Sequence, residues 1–218
     1  MEPVRDAQSV RRDDANVASA SSSPAPRENG SDRALIGYTL VALVVALFIR
    51  FFVAAPYVVS GASMDPTFRD WDYLIIDRVT YRAETPARGD VIVFDLPQDP
   101  SRALIKRIIG LPGETVAISG AVVTITNDEH PDGFTLDESY LDPENLGDIE
   151  NVRVVVPEDS YFVLGDNRRV SADSRIWGFL PRHDITGRVL LRLYPFDHVA
   201  VLPGQARYAP GATDTITN

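Results

Sequence analysis

From Ala34 to Ile49 the chain reads Ala-Leu-Ile-Gly-Tyr-Thr-Leu-Val-Ala-Leu-Val-Val-Ala-Leu-Phe-Ile, without a charge. Arg50 interrupts, and Phe-Phe-Val-Ala-Ala-Pro-Tyr-Val-Val carries the apolar character on to Val59. A helix from Ala34 to Ala55 is about 22 residues, or roughly 33 Å, enough to cross a bilayer. No polar face appears, which argues against a core helix. Arg50 falls near one end, where its long stem lets the guanidinium reach the interface. Val53-Ala54-Ala55 ends in small residues, as a cleaved signal peptide does. The long preceding tail, Arg50 and a proline after the cut favour an uncleaved anchor instead. The predicted anchor is residues 34–56, with Pro56 ending the helix. Arg27 and Arg33 on its N-terminal flank make that side cytoplasmic.

The flanks have a different pattern. Residues 1–33 are polar, include Ser21-Ser22-Ser23-Pro24-Ala25-Pro26 and have no apolar period, so they read as a disordered cytoplasmic tail. After the apolar run, short strands follow one another: Tyr73–Asp77, Val91–Phe94, the run Ala103–Gly110, a hairpin of Thr115–Ile118 and Ala121–Ile125 around Ser119-Gly120, Val152–Pro157 and Tyr161–Leu164. Residues 127–151 are acidic and turn-rich and read as a surface excursion. No helical period recurs. Gly- and Pro-punctuated strands predict a mostly β, antiparallel sheet or barrel-like domain over residues 57–203, with 204–218 as a flexible C-terminal tail.

Charge and composition narrow the function. The formal net charge of the 218 residues is −10. Six Arg and six Asp+Glu lie in residues 1–56, so the remainder holds 15 basic and 25 acidic residues. So acidic a domain argues against nucleic acid as a partner. There is no cysteine, which excludes disulfides, thiol nucleophiles and Cys–zinc sites. His130, His183 and His198 are scattered in polar or turn-like stretches and read as solvated, so no metal or other cofactor is expected.

Two stretches carry chemistry. In Ser60-Gly61-Ala62-Ser63-Met64-Asp65-Pro66-Thr67-Phe68, small residues precede Ser63 and a proline stiffens the backbone after it. That is how a nucleophile is presented, and also how many loops look. Lys106 adds weight, because it is the one lysine among 21 Lys+Arg. Arginine cannot lose its proton in a protein, whereas a desolvated lysine can. In a strand, Leu104, Lys106 and Ile108 share a face that is apolar apart from the amine. Burial lowers a lysine pKa from about 10.4 towards neutrality. A neutral amine beside a serine hydroxyl is a Ser–Lys dyad that needs no histidine. A third stretch, Gly165-Asp166-Asn167-Arg168-Arg169-Val170-Ser171-Ala172-Asp173-Ser174-Arg175, is dense in groups that bond one another. A pair between Asp173 and Arg175 would fix the backbone carrying Ser171.

Taken in order, these stretches resemble the bacterial type I signal peptidases. The similarity runs over roughly residues 34–195: the apolar span, Ser60–Thr67, Arg88-Gly89-Asp90-Val91-Ile92-Val93-Phe94, Lys106-Arg107-Ile108-Ile109-Gly110-Leu111-Pro112-Gly113, and Gly165–Arg175. The resemblance implies that Ser63 is the nucleophile and Lys106 the general base. Ser171 would orient the lysine amine, with Asp173 and Arg175 in support. Some members carry a serine two residues before the nucleophile, in the oxyanion hole. Here that residue is Gly61, so the implied donors are the Ser63 N–H and a backbone group near Gly61, with Ser60 as an open contributor. Val59, Met64, Phe68, Leu104 and Ile105 match positions lining the family's shallow pockets. The implied enzyme is a membrane-bound serine endopeptidase with its domain outside the cytoplasm. It removes signal peptides from translocated preproteins after small residues, Ala-x-Ala-like, with the preprotein bound as an extended strand beside the lysine strand. Membrane lipid and the secretion translocon are its further partners. The rivals are a self-cleaving SOS-type repressor, which shares a Ser–Lys dyad on a related fold, and a membrane-anchored β module that binds without chemistry.

Overall fold

The computed structural model describes residues 30–147, 151–206 and 208, within two units, residues 1–41 and 42–218. Most of the tail expected over residues 1–33, and residues 148–150 and 209–218, lie outside the described residues.

Helix α1 runs Gly30–Phe48. Its side chains from Ala34 onward are exposed, as are Ile49 and Arg50. A π-helical turn, Ile49–Val53, follows and closes when Ala54 N–H donates to Ile49 O. The helix therefore ends before the predicted boundary at Pro56, and its apolar part, Ala34–Phe48, is only about 22 Å long. Among the described residues no helix is long and apolar enough to cross a membrane. The shortening has a cause further along the chain. Ala54–Val58 forms strand β1 and pairs antiparallel with β2, Tyr73–Asp77, placing Pro56 opposite Ile75. β1 is an edge strand, where proline's missing N–H costs nothing.

The remaining strands and α-helices are α2 (Thr80–Ala83), β3 (Val91–Leu96), β4 (Asp99–Gly110), β5 (Thr115–Ser119), β6 (Val122–Thr126), β7 (Phe134–Thr135), β8 (Val152–Val155), β9 (Ser160–Leu164), α3 (Ser174–Trp177), β10 (Leu180–Pro181), β11 (Ile185–Tyr194) and β12 (Ala200–Val201). They form two antiparallel sheets. The larger has the order β1-β2-β11-β3-β4-β9-β10, with β12 on β11; the smaller is β7-β6-β5-β8. The expectation of a mostly β, antiparallel domain holds. Two of its helices, α2 and α3, are single turns, too short to leave a period in the sequence.

Strand β3 shows how the larger sheet is held. It lies between β11 and β4, and both its faces are buried. Val91 and Val93 pack with Met64, Phe68 and Ile105, while Ile92 and Phe94 pack with Ile108 and Val163. A buried aliphatic or aromatic side chain of this kind contributes about 1.5–3 kcal/mol. Leu104 and Ile108, on either side of Lys106, both join the second of these clusters. A third cluster, around Val116, Ile125 and Phe162, underlies the smaller sheet.

The acidic stretch 127–151 is more than a surface excursion. β7 pairs with β6, Leu136 and Leu141 are buried, and Glu138 forms a buried ion pair with Arg168 at 2.5 Å. His130, expected to be solvated, packs against Phe134 with ring centroids 4.8 Å apart and the rings tilted by 60°. Gly204, Ala206 and Tyr208, assigned to the flexible tail by sequence, also pack on the domain. The Tyr208 hydroxyl lies 2.8 Å from that of Tyr140.

Candidate active site

The loop between β1 and β2 carries Ser63. Its base is closed by Val59 N donating to Asp72 O at 2.9 Å and Trp71 N to Val59 O at 3.0 Å. Within it, Phe68 N donates to Met64 O at 2.9 Å, a helical turn that sends both side chains into the core. Two wholly buried side chains thus pin the turn next to Ser63. Ser63 itself stays half-buried at the surface.

Lys106 approaches from β4, opposite Ile92 of β3. Its side chain is buried, with 2% exposed. Nζ lies 2.7 Å from Ser63 Oγ and 2.8 Å from Ile105 O. Burial pushes the amine's pKa down from 10.5 to about 8; the charges of Asp173 and Asp166 oppose the shift without cancelling it. The two residues singled out by sequence are therefore in hydrogen-bond contact, and the amine is poised to lose its proton near pH 8.

The loop 165–175 closes the site from a third side. Asn167 N donates to Ser63 O at 3.0 Å. A Cβ at Gly165 would run into both Ser63 O and Ser171 Oγ, so only glycine allows this approach. Asp173 is fully buried, accepts from Gly165 N at 3.1 Å, and takes a two-pronged contact from Arg175, Nε to Oδ1 and Nη2 to Oδ2, each at 2.7 Å. Arg175 Nη2 also donates to Arg168 O at 3.0 Å. Ser171 is buried beside Gly165, but its hydroxyl has no hydrogen-bond partner. The contact with the lysine amine implied by the resemblance is not made.

The backbone N–H groups around the expected oxyanion hole differ in occupancy. Gly61 N–H donates to Asp70 Oδ1 at 2.8 Å and is thereby occupied. Among the described residues nothing accepts from the Ser63 N–H. Ser60 is exposed. The expected pocket residues also divide. Val59, Met64, Phe68 and Ile105 are buried in the core beneath the turn and offer almost no surface. Half-buried Leu104 retains some. A cavity of about 760 Å³ opens on the other flank of the turn, lined by Pro66, Thr67, Trp71, Tyr140 and Tyr194 among others, but not by Ser63 or Lys106.

One pair at the site went unnoticed in the sequence. Arg107, next to Lys106, is fully buried and grips Asp166 through Nε (2.8 Å) and Nη2 (2.5 Å). Asp166 Oδ2 also accepts from Thr67 Oγ1 at 2.5 Å. The Arg107 guanidinium stacks on Tyr140, 4.1 Å from the ring centroid. The pair ties the lysine strand, the serine turn and the loop 165–175 at one point. Removing one partner of a buried ion pair costs about 3–5 kcal/mol, because the other charge is stranded. An arginine inside the apolar run Ile105–Ile109 was the available signal, since such a side chain must find a carboxylate.

The chain is similar to known proteins over most of its length. The family described as signal peptidase, peptidase S26 matches residues 33–194. A probable signal peptidase I-1 of Synechocystis is 39% identical over 181 residues, spanning 80% of this chain and 88% of that protein. Signal peptidase I of Leptolyngbya laminosa is 41% identical over 169 residues, 74% of this chain and 79% of that protein. Signal peptidase I P of Bacillus subtilis subsp. natto is 36% identical over 171 residues, 73% and 87%.

Proposed function

Because the chain belongs to the signal peptidase family, peptidase S26, we propose that it is a serine endopeptidase that removes signal peptides from translocated preproteins, with Ser63 as nucleophile and Lys106 as general base. The observation that carries the reading is the 2.7 Å contact between Ser63 Oγ and a buried amine whose pKa is lowered to about 8. In its neutral form the amine accepts the Ser63 proton as Oγ attacks the carbonyl at the cleavage site. The Ser63 N–H, from which no described residue accepts, serves as donor to the developing oxyanion. The protonated amine then gives its proton to the departing amine of the mature protein. Neutral again after losing a proton, it activates the water that releases the signal peptide. Asp173 and Arg175 act at one remove by holding the loop that anchors Ser63 O.

The substrate binds as an extended strand along β4. From Asp99 to Lys106, β4 pairs with β3 alone, and its ladder to β9 begins only at Arg107, so the opposite edge is open to a peptide. The test is cleavage of a preprotein by the purified full chain in detergent. A single cut after an Ala-x-Ala-like site, lost when the residue before the cut is made bulky, is expected. Cleavage indifferent to that residue would contradict the assignment.

The apolar helix Ala34–Phe48, exposed on every side, anchors the protein in lipid together with the turn Ile49–Val53 that prolongs it, and leaves residues 57–218 outside the cytoplasm, where preproteins emerge near the translocon. Protease added to intact spheroplasts should digest the β domain. Protection until lysis would reverse the orientation.

A further inference from the structure

Beyond β12 the chain stays on the domain. Leu202 N donates to Leu190 O at 2.7 Å, Pro203 is buried, and Ala206 N donates to Gly89 O at 3.3 Å. Gln205 Nε2 reaches Asp90 Oδ1 at 3.1 Å, and Tyr208 meets Tyr140 hydroxyl to hydroxyl. Residues 202–206 and 208 thus form a strap. Gly204 sits where it passes between the two elements that carry Ser63 and Lys106. On one side Arg107 Nη1, one residue from Lys106, donates to Gly204 O. On the other, a Cβ at Gly204 would run into the Thr67 Cγ2 methyl and lie 3.2 Å from Phe68 Cε2, in the turn that follows Ser63. The same Cβ would lie 3.6 Å from Arg107 Nη2. Gly204 has φ +73°, a region that glycine occupies without penalty.

We propose that the strap is a positioning element for the dyad, with Gly204 as the spacer that sets how closely the Ser63 turn approaches the Lys106 strand. The proposal rests on the reading of these two residues as nucleophile and base. The Thr67–Asp166–Arg107 chain draws the two elements together, and the strap backbone fills the gap beside it. Any larger residue at 204 must push Thr67 outward or lift the strap from Arg107. Either movement lengthens the 2.7 Å contact. A misplacement of about 1 Å costs on the order of 100-fold in rate. Lifting the strap also admits water beside the lysine strand and relaxes the burial that lowers the amine's pKa.

The test compares the full chain with Gly204→Ala, and with a chain ending at Pro203, which keeps β12 and the buried proline. Preprotein cleavage is measured in detergent and folding by thermal melting. Both variants should remain folded at the assay temperature and lose kcat on the order of 100-fold with KM unchanged. The rising limb of kcat/KM should move above about pH 8. Thr67→Ser added to Gly204→Ala removes the methyl in the way but keeps the hydroxyl bonded to Asp166, and should restore much of kcat. Wild-type kcat in folded Gly204→Ala would overturn the proposal. So would a loss explained entirely by unfolding, or one confined to KM. Ser63→Ala and Lys106→Arg run alongside separate the two ideas. If those enzymes cleave, the dyad reading fails; if they are inactive while Gly204→Ala is active, only the spacer role fails.

Discussion

Lys106→Arg is expected to abolish cleavage at every working pH, although it keeps the positive charge and much of the length. The wild-type amine is effective because it sheds its proton near pH 8, pushed there by burial against the opposing charges of Asp173 and Asp166. Cleavage by the wild type should therefore rise through about pH 8 and fall roughly tenfold for each pH unit well below it. Arginine has no pKa in reach, so its variant has no pH at which a base appears. Lys106→Met should be equally inactive yet more stable. The unfolded amine stays protonated up to about 10.5, whereas the folded one releases its proton at about 8. Between these values the unfolded chain binds more protons, so wild-type stability rises with pH across the window. Below it the buried ammonium costs about 3 kcal/mol, and methionine removes that cost. Denaturant melts at pH 7 and pH 10 should show the methionine variant's advantage shrinking as pH rises. Near wild-type cleavage by Lys106→Arg would remove lysine as the base.

Much of this was legible in the sequence, because apolar strands bounded by Gly and Pro follow simple rules. Tyr73–Asp77 and the hairpin of β5 and β6 appear almost where alternation puts them. β11 did not stand out, although it joins β2 to β3 through the sheet. Its arginines at 188 and 192 break the apolar pattern, and only the folded partners Asp77 and Asp72 make them tolerable inside a sheet. The end of α1 was missed for a similar reason. Nothing local stops the helix at Phe48; the ladder offered by β2 takes Ala54 onward into a strand.

The site divides along the same line. Ser63 and Lys106 were readable because a sole lysine in an apolar strand is an anomaly on its own. Arg107 was hidden beside it, since one arginine among many looks like a surface charge until Asp166 is placed against it. Met64 and Phe68, expected from sequence to line the substrate pocket, are instead wholly buried beneath the turn as its anchor. Leu136 and Leu141 were outweighed by the acids around them, and the stretch they secure reaches Ser63's own turn through Asn145 Nδ2, which donates to Asp65 O at 3.1 Å.

Ser63→Ala should eliminate preprotein cleavage and leave the domain folded. The hydroxyl is half-buried and, among the described residues, bonds only the lysine amine, so its loss opens no core cavity. The turn keeps its anchors, because Asn167 N holds the backbone O of residue 63 and Met64 and Phe68 hold the core. The chemistry has no substitute: there is no cysteine in the chain, and Ser60 and Ser171 have no contact with the amine. The most direct measurement is therefore cleavage of one preprotein in detergent by purified wild-type and Ser63→Ala proteins shown to melt alike. The dyad predicts processing by the first and none by the second, and appreciable cleavage by a folded Ser63→Ala protein would contradict it.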